Sequence, residues 1–526
     1  MLETIQLAFS NLTFAQFFPV AVIFLLIMFY AYYIRVLRPE SGTLEWVEMR
    51  VSAESRKLTF LNSRYPLETS DILPITVITV VFLVLATFNL GSTSPVDVAA
   101  EIAARAEEDY VYTSTHVKNM YFDEIYFVRT AVEHIDGVNP YEWTHPPLGK
   151  NIIAVSILTF GESPFGWRLI GAICGVLMLI VMYAFIKNMF GKTAIAVCGA
   201  LLLGFDFLRL VQSRIGTIDT YAVLFILLAY YFMYRHITTD PNAPFRKSLP
   251  SLAFSGIFFG LSFAVKWVGF YAGAGLLVIY IIRLVQLCIY YRNNNMKGYF
   301  SYFLKTVLFS FVFFIIVPAA VYYLNYIPYG LARDMTINGG MLWSSDFFSL
   351  VWRNQESMFN YHSNLEATHG GSSFWWQWLF DIKPILYVNN YADGTRATFG
   401  AFGNPVLYWG GLAAIITMGV RVFTHRDGKS LFILIGYLAQ LLPWVAVTRV
   451  VFAYHYLPSS LFIVLALAHI FNTIFERGKV GYKTYVYGFT AVSGVAFVMF
   501  YPMLAGVYLP FKYYDAFIKW LPSWPF

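Results

Sequence analysis

Apolar runs long enough to cross a bilayer recur from one end of the chain to the other, and short polar segments separate them. A helix needs about 20 mainly apolar residues to span the hydrocarbon layer. The runs that meet or approach this length are 14–33, 72–90, 167–189, 194–211, 218–235, 249–264, 269–290, 302–324, 404–423, 431–447, 452–475 and 485–507. The pattern predicts an all-α polytopic membrane protein with about 12 transmembrane helices.

Two polar stretches between these runs are much longer than the others, and they predict two large external loops. Lysine and arginine concentrate instead in the short segments 39–71, 238–248 and 291–299, which the positive-inside rule assigns to the cytoplasmic side. Both chain termini are then also expected outside. This organisation divides the chain into an extra N-terminal helix with a charged cytoplasmic loop (1–71), a transmembrane module (72–324) that contains the first external loop (91–164), a second external loop (325–402), and C-terminal helices with an external tail (403–526).

Composition agrees with a membrane protein. Of the 526 residues, 58% are hydrophobic and 13% are charged, about half the charged fraction of an ordinary soluble protein. The net charge of +6 then reflects loop asymmetry and does not indicate nucleic-acid binding. Cys174, Cys198 and Cys288 lie in or beside apolar runs and form no CxxC motif, so no disulfide framework is expected. The first run follows no basic leader or cleavage site, so we expect it to be a retained anchor.

The first external loop carries an adjacent pair of acids, Asp123 and Glu124, before a helical pattern that stops at Gly137. The helix dipole stabilises anions at this position, and a carboxylate held at a membrane surface is a candidate general base. An acidic pair that only caps a helix has the same pattern. In the same loop, the apolar piece 151–160 is too short to cross the membrane, and we expect it to lie along the surface.

Several basic residues occur at the predicted outer ends of helices, among them Arg168, Arg214 and Lys266, with Arg209 and Asp219 nearby in the sequence. Charges at the edge of a membrane are costly and indicate function unless the side chains extend to the interface. Cations that converge at one membrane face are suited to a phosphate head group. We therefore predict that Arg168, Arg214 and Lys266 bind the phosphate of a lipid-linked donor.

The second external loop contains His362 and His369 beside three tryptophans, and His455 follows near a later helix end. No carboxylate or cysteine set accompanies the histidines, so the sequence predicts no metal site. Aromatic rings beside hydrogen-bonding groups are typical of carbohydrate or peptide recognition, and equally of an interfacial aromatic belt.

Seven segments resemble the protein O-mannosyltransferases, membrane enzymes of the C-type glycosyltransferase superfamily, in the order in which that family has them. The segments are FDE at 122–124, HPPLGK at 145–150, GWRL at 166–169, SRIGTID at 213–219, VKWVG at 265–269, the NYHSNL and SSFWWQW loop at 360–378, and YHYLP at 454–458. The resemblance covers most of the chain after residue 90.

The resemblance implies a C-type glycosyltransferase fold with the active site at the external face of the cell membrane. It also implies transfer of a sugar, usually mannose, from a polyprenyl or dolichyl phosphate to Ser or Thr of an exported protein, with inversion. Asp123 maps to the base, and Glu124 to a residue that assists it. The other residues that the matched segments suggest for substrate binding or for shaping the site are His145, Lys150, Asp219, His362, His369, Trp376 and His455.

A single displacement needs one base and stabilisation of the departing phosphate, which fixed cations can provide. We therefore expect no required cofactor, and the chemistry leaves a divalent metal open. The second loop has no room for the lectin-like insert of eukaryotic members, and a helix precedes the usual first one. Both departures indicate a prokaryotic member. A lipid or cell-wall glycan acceptor remains an alternative, and a transporter is a third hypothesis, although no duplicated halves are visible.

Overall fold

The computed structural model describes residues 65–92, 120–477 and 480–526. The predicted first helix, 14–33, and nearly all of the charged loop that follows it lie outside the described residues. The remaining predicted spans all fall within them.

The described part of the chain is mainly helical. Its first half contains α1 (Ile72–Thr87), α2 (Glu124–Asp136), α3 (Leu148–Phe160), α4 (Pro164–Phe190), α5 (Thr193–Gly204), α6 (Phe207–Ser213), α7 (Asp219–Ile237), α8 (Leu249–Val265), α9 (Val268–Asn293), α10 (Tyr299–Phe311) and α11 (Val317–Leu324). Its second half contains α12 (Ile327–Leu331), α13 (Ser345–Asn364), α14 (Trp375–Leu379), β1 (Ile385–Ala392), β2 (Thr395–Ala401), α15 (Pro405–His425), α16 (Gly428–Leu441), α17 (Leu457–Glu476), α18 (Val480–Leu504), β3 (Leu509–Pro510) and α19 (Phe511–Tyr513).

Among these described residues, ten helical segments are long and apolar enough to cross a membrane, and one bent pair of helices makes an eleventh candidate. They correspond to the predicted runs from residue 72 onward, so the predicted fold class is confirmed. The innermost is α17, whose candidate span is buried along its whole apolar window.

The run 194–211, predicted as one span, is divided between two helices. Helices α5 and α6 meet at a bend of 62°. At the break, the Asp206 carboxylate accepts a hydrogen bond from the Leu208 amide, and Arg209 donates to the carbonyls of Leu203 and Gly204 at 3.0 and 2.9 Å. Side chains therefore satisfy the backbone groups that the bend leaves unpaired, as an irregular backbone within a membrane protein requires.

The second external loop has more regular structure than its composition indicates. It contains the 20-residue helix α13 and an antiparallel hairpin of β1 and β2, to which the short strand β3 adds on the side of β2. The hairpin turns through Asp393 and Gly394, with φ of 43° and 73°. Positive φ at both central residues is typical of a type I′ turn, for which Asp-Gly is a strong sequence signal.

The two loops that were predicted to be external contact each other. Asn354 on α13 donates to the Trp143 carbonyl at 3.1 Å, and His362 bonds the Thr144 carbonyl at 2.8 Å. The Trp143 and Tyr361 rings meet edge to face at 5.8 Å. The loops therefore lie on the same side of the helix bundle, as predicted.

Helix α3 includes the apolar piece 151–160 and begins three residues earlier than predicted. It buries Ile153 and Ile157 against the protein, whereas Val155 and Leu158 are exposed. This division into a buried and an exposed apolar face is compatible with a helix at the membrane surface. Its location relative to a bilayer stays a prediction.

Candidate active site

Helix α2 begins directly after Asp123, and Gly137 ends it in the left-handed conformation, as the sequence predicts. Glu124 is fully buried in its first turn and accepts four hydrogen bonds. Two come from Arg168, both at 2.7 Å, and the others come from the amides of Tyr121 and Gly216, at 2.8 and 2.6 Å. A side chain at position 216 would collide with Val128 of α2, so glycine permits this close approach.

Asp123 differs from its neighbour in every respect that matters for chemistry. Its carboxylate accepts no capping hydrogen bond, and no hydrogen bond or ion pair of this group is found within the described residues. Burial raises the pKa of Asp123 to about 7, an effect that Lys266 opposes and that Asp219 and Glu142 reinforce. A side-chain cap of the helix therefore does not account for Asp123, and its role as a general base stays a prediction.

Lys266 stands at the break between α8 and α9, in an extended conformation that ends α8. Its ammonium group contacts Asp219 at the start of α7, with a distance of 2.8 Å between Nζ and Oδ1. It also lies 5.5 Å from the centre of the Tyr454 ring. The predicted residues Lys266 and Asp219 therefore form one charged pair, and this pair is electrostatically coupled to Asp123.

The other two predicted phosphate ligands are bonded to protein groups. Besides Glu124, Arg168 contacts the carbonyls of Leu90 and Ser92 at 2.9 and 2.7 Å. Arg214 donates to three carbonyls at the end of α1, those of Leu85, Ala86 and Phe88, at 2.7–3.0 Å. Binding of the donor phosphate by these two arginines stays a prediction, and the geometry gives both of them a structural role.

The HPPLGK segment (145–150) is held in place by Glu142, a buried acid that the sequence analysis missed. Glu142 binds Lys150 at 2.6 Å and His145 Nδ1 at 3.0 Å. Burial opposes ionisation of Glu142, but Lys150 and His145 outweigh it and hold the pKa of Glu142 well below its usual range. Lys150 also bonds the Glu142 and His145 carbonyls and the Tyr329 hydroxyl. Lys150 is fully buried, so it stabilises the loop and is not accessible to a ligand.

A cavity of about 490 Å³ opens beside the Lys266–Asp219 pair. Its polar lining includes His145, Lys266, His362 and Arg449, and Trp267, Tyr271 and Trp444 contribute aromatic walls. Burial lowers the pKa of His145 and lowers that of His362 to about 4, so both imidazoles are neutral at pH 7. The cavity thus combines two cations with two neutral hydrogen-bonding rings.

Of the remaining predicted residues, some are buried and others are exposed. His455 lies buried between the rings of Trp444 and Trp378, at 4.4 and 6.1 Å, and His369 meets Phe452 edge to face at 5.1 Å. Trp376 is 44% exposed, and its neighbour Trp378 is the tryptophan that is buried beside His455. A role for Trp376 in shaping the site stays a prediction.

Two further residues were missed. Arg449 and Tyr387 lie at the site but belong to segments that no motif marks. Glu142 could have been found from the sequence, because it lies three residues before His145.

Within residues 65–92, 120–477 and 480–526, no group of three or more His, Cys, Asp or Glu side chains is arranged to hold a metal ion.

Comparison with known proteins gives two matches to models of one family. Residues 144–322 match the model described as dolichyl-phosphate-mannose-protein mannosyltransferase. Residues 347–524 match the C-terminal four-transmembrane region of protein O-mannosyltransferase.

Relatives that match about three quarters of the chain agree with these models. A polyprenol-phosphate-mannose–protein mannosyltransferase of Mycolicibacterium smegmatis is 27% identical over 459 residues, covering 77% of this chain and 87% of the relative. The enzyme of the same name from Corynebacterium glutamicum is 26% identical over 463 residues, covering 77% and 88%. The structure of the Saccharomyces cerevisiae protein O-mannosyltransferase Pmt1–Pmt2 complex bound to the sugar donor has a TM-score of 0.71 at 16% identity, over 90% of this chain and 94% of that one.

The fold, the family models and the named relatives together identify a membrane glycosyltransferase with the C-type fold. The chain belongs to the protein O-mannosyltransferase family, which confirms the resemblance carried by its motifs.

Proposed function

We propose that this enzyme transfers mannose from a polyprenyl or dolichyl phosphate carrier to Ser or Thr hydroxyls of exported proteins, with inversion at the anomeric carbon. The observation that carries the proposal is Asp123. It is a carboxylate whose pKa is raised to about 7, it has no capping bond, and it is coupled to the Lys266–Asp219 pair beside a cation-lined cavity. The names of the mycobacterial and corynebacterial relatives support the donor class.

In the proposed reaction, Asp123 accepts the proton of the acceptor hydroxyl. The hydroxyl oxygen forms a bond to the anomeric carbon while the bond between that carbon and the phosphate oxygen breaks. The electron pair leaves with the lipid phosphate, which gains negative charge. Lys266 and Arg449 line the cavity and would stabilise this charge.

The surrounding residues would hold this arrangement. Glu124 and Arg168 neutralise each other and fix the start of α2, so Glu124 acts through position and Asp123 through proton transfer. His145 and His362 are neutral and line the cavity, which suits them to bonds with sugar hydroxyls. Lys266 lines the cavity, whereas Arg168 and Arg214 are bonded to protein carbonyls and do not line it. Lys266 is therefore the best-placed phosphate contact of the three cations predicted from the sequence.

We place the active site on the external face of the cell membrane. The basic inner segments support this orientation through the positive-inside rule. The exposed apolar helices beside the site would leave the lipid tail in the bilayer while its phosphate reaches Lys266. An exported polypeptide would approach from the side of the two loops.

The test is transfer of radiolabelled mannose from polyprenyl-phosphate-mannose to a Ser/Thr-rich peptide, in membranes that contain this chain. Label in the peptide, released by β-elimination and opposite in anomeric configuration to the donor, is expected. Membranes with the Asp123→Asn variant are the matched control. Label that enters only the lipid or glycan fraction would contradict a protein acceptor and favour the alternative. Retained transfer in EDTA is expected, because Lys266 and Arg449 supply the positive charge.

A further inference from the structure

The residue before the proposed base has an unusual backbone conformation. Phe122 has φ of +45°. Side chains with a Cβ rarely adopt this region, and a bulky aromatic residue there is strained. The other non-glycine residues with positive φ in the described ranges are Asn89, Asn295, Asp334, Asp381, Asp393 and Arg426. Five of these six are Asn or Asp, which tolerate the conformation, so Phe122 needs an explanation from its surroundings.

Three aromatic rings surround Phe122. Tyr387 stacks on it with 4.4 Å between ring centres and 20° between ring planes. Phe452 and Tyr454 meet it edge to face, at 6.4 Å and 88° and at 6.3 Å and 70°. We call Tyr387, Phe452 and Tyr454 the aromatic clamp. Stacked and edge-to-face geometries are the favourable arrangements of aromatic pairs, so the clamp can stabilise the strained conformation.

The clamp is itself anchored to distant parts of the fold. The Tyr387 hydroxyl donates to Gln212 Oε1 on α6 at 2.8 Å, and both residues are buried. Tyr454 lies beneath the ammonium group of Lys266, which binds Asp219. The loop 325–402 and the segment before α17 therefore meet at the residue that precedes Asp123, and α6 anchors the loop through Gln212.

We propose that Phe122 and its aromatic clamp are a positioning device, which holds Asp123 in the orientation that aims its carboxylate at the acceptor hydroxyl. Phe122 acts through Asp123 and is not itself a catalytic residue. The left-handed turn at Phe122 directs the chain into α2, while the clamp prevents relaxation to the ordinary conformation. This inference rests on the proposed role of Asp123 as the base.

The test compares two conservative and two disruptive variants. Phe122→Leu and Tyr387→Ala remove the stacked pair, and we expect kcat to fall about 10- to 100-fold, the loss that a small misplacement of a reacting group causes. The KM for polyprenyl-phosphate-mannose should stay near that of the wild type, because the cavity is unchanged. Phe122→Tyr retains the aromatic ring, and its kcat should stay near that of the wild type. Tyr387→Phe keeps the stack and loses the Gln212 bond, so its kcat should lie between.

Tyr391→Ala is the matched control. Tyr391 lies on the same strand, four residues from Tyr387, and stacks on Phe511 at 6.0 Å. It is 62% exposed, and its substitution removes an aromatic contact of the hairpin that does not involve Phe122. We expect kcat of this variant to match the wild type. A drop equal to that of Tyr387→Ala would mean that any damage to the hairpin reduces activity, and would overturn the proposal.

The pH profile separates positioning from general loss of structure. Burial is the largest cause of the raised pKa of Asp123, and the nearby charges of Lys266, Asp219 and Glu142 change it further. In Phe122→Leu the carboxylate can turn toward solvent, so the rising limb of kcat should move to lower pH. A variant that is only partly folded would lose kcat at all pH values without moving the limb, and that result would contradict the proposal.

The outcomes also separate this proposal from the proposed function. If the wild type transfers no mannose, the proposed function fails. If the wild type is active and Asp123→Asn is not, but Tyr387→Phe and Phe122→Leu both show wild-type kcat and pH limb, the positioning proposal is overturned alone. If Phe122→Leu does not accumulate as folded protein, Tyr387→Phe decides, because it removes one hydroxyl and keeps the packing.

Discussion

Glu124 and Arg168 form a bidentate ion pair, with 2.7 Å between Nε and Oε1 and 2.7 Å between Nη2 and Oε2. Both side chains are buried, with exposures of 0% and 1%. Each charge is satisfied by the other and by backbone groups. The two adjacent acids therefore differ in their environment: Glu124 is fixed by this ion pair, whereas the Asp123 carboxylate makes no capping hydrogen bond.

The first prediction separates a base from a structural acid. Asp123→Asn keeps the shape of the side chain and removes its ability to accept a proton. We expect mannosyl transfer to fall by about 10²–10⁴-fold, the usual contribution of a general base. Expression should be unchanged, since Asn is a good residue at a helix start. Asp136→Asn, at the exposed far end of α2, is the control and should be active. Near-normal turnover of Asp123→Asn would remove this residue from the mechanism.

The second prediction concerns pH. A base works when deprotonated, so kcat should rise with pH through the pKa of Asp123, about 7, and then level off. An ordinary aspartate would place this limb near pH 4. Since Lys266 lowers the pKa of Asp123, the Lys266→Met variant should move the limb to higher pH. The measurement is kcat between pH 5 and 9 with saturating donor, and a limb that stays near pH 4 would contradict the assignment.

The third prediction tests the ion pair. Glu124→Gln leaves the Arg168 charge buried and unpaired, which should lower the free energy of unfolding by about 3–5 kcal/mol. Arg168→Met in the same chain should recover part of this loss, because the two residues are coupled. Thermal unfolding in detergent measures both.

An exposed pair provides the comparison. Lys192 and Glu476 are 34% and 63% exposed, and Glu476→Gln should change stability by less than about 1 kcal/mol. Additive effects of the Glu124 and Arg168 variants would show that the buried pair is not coupled.

The fourth prediction distinguishes the cations. Lys266→Met should raise the KM for the lipid-phosphate donor about tenfold or more, equivalent to about 1.4 kcal/mol, because the phosphate loses a charged partner. Arg214→Met should lower thermal stability and leave this KM unchanged, since Arg214 bonds the end of α1. The reverse result would assign the phosphate to Arg214, as the sequence analysis predicted.

The fifth prediction concerns orientation. In a background that lacks the three native cysteines, Gly370→Cys should react with an impermeant thiol reagent in intact cells. Asn294→Cys, in the loop between α9 and α10, should react only after permeabilisation. Both positions are exposed, and a side chain at 370 meets nothing within 4 Å. The opposite labelling pattern would place the active site on the cytoplasmic side.

The sequence by itself determined the spans and the position of the acidic pair. A backbone in lipid must satisfy its own hydrogen bonds, so every crossing is a helix of nearly fixed length, and apolar runs from 72 onward locate these helices. The start of α2 after Asp123 and its end at Gly137 are local effects of charge and glycine, and both were readable from neighbouring residues. The Asp-Gly turn at 393–394 is likewise a local signal, because it depends on two adjacent residues that tolerate positive φ.

Only the tertiary structure decided which charges meet. Several acids and cations are predicted near one face, and their signs allow many pairings, so the sequence could group Arg168 with Lys266 as ligands of one phosphate. Folding instead brings Arg168 to Glu124 and Lys266 to Asp219, because burial requires each charge to find a partner. Tyr387 stacks on Phe122 although more than two hundred residues separate them in the chain. Packing in the folded protein joins these segments, and no local sequence pattern relates them.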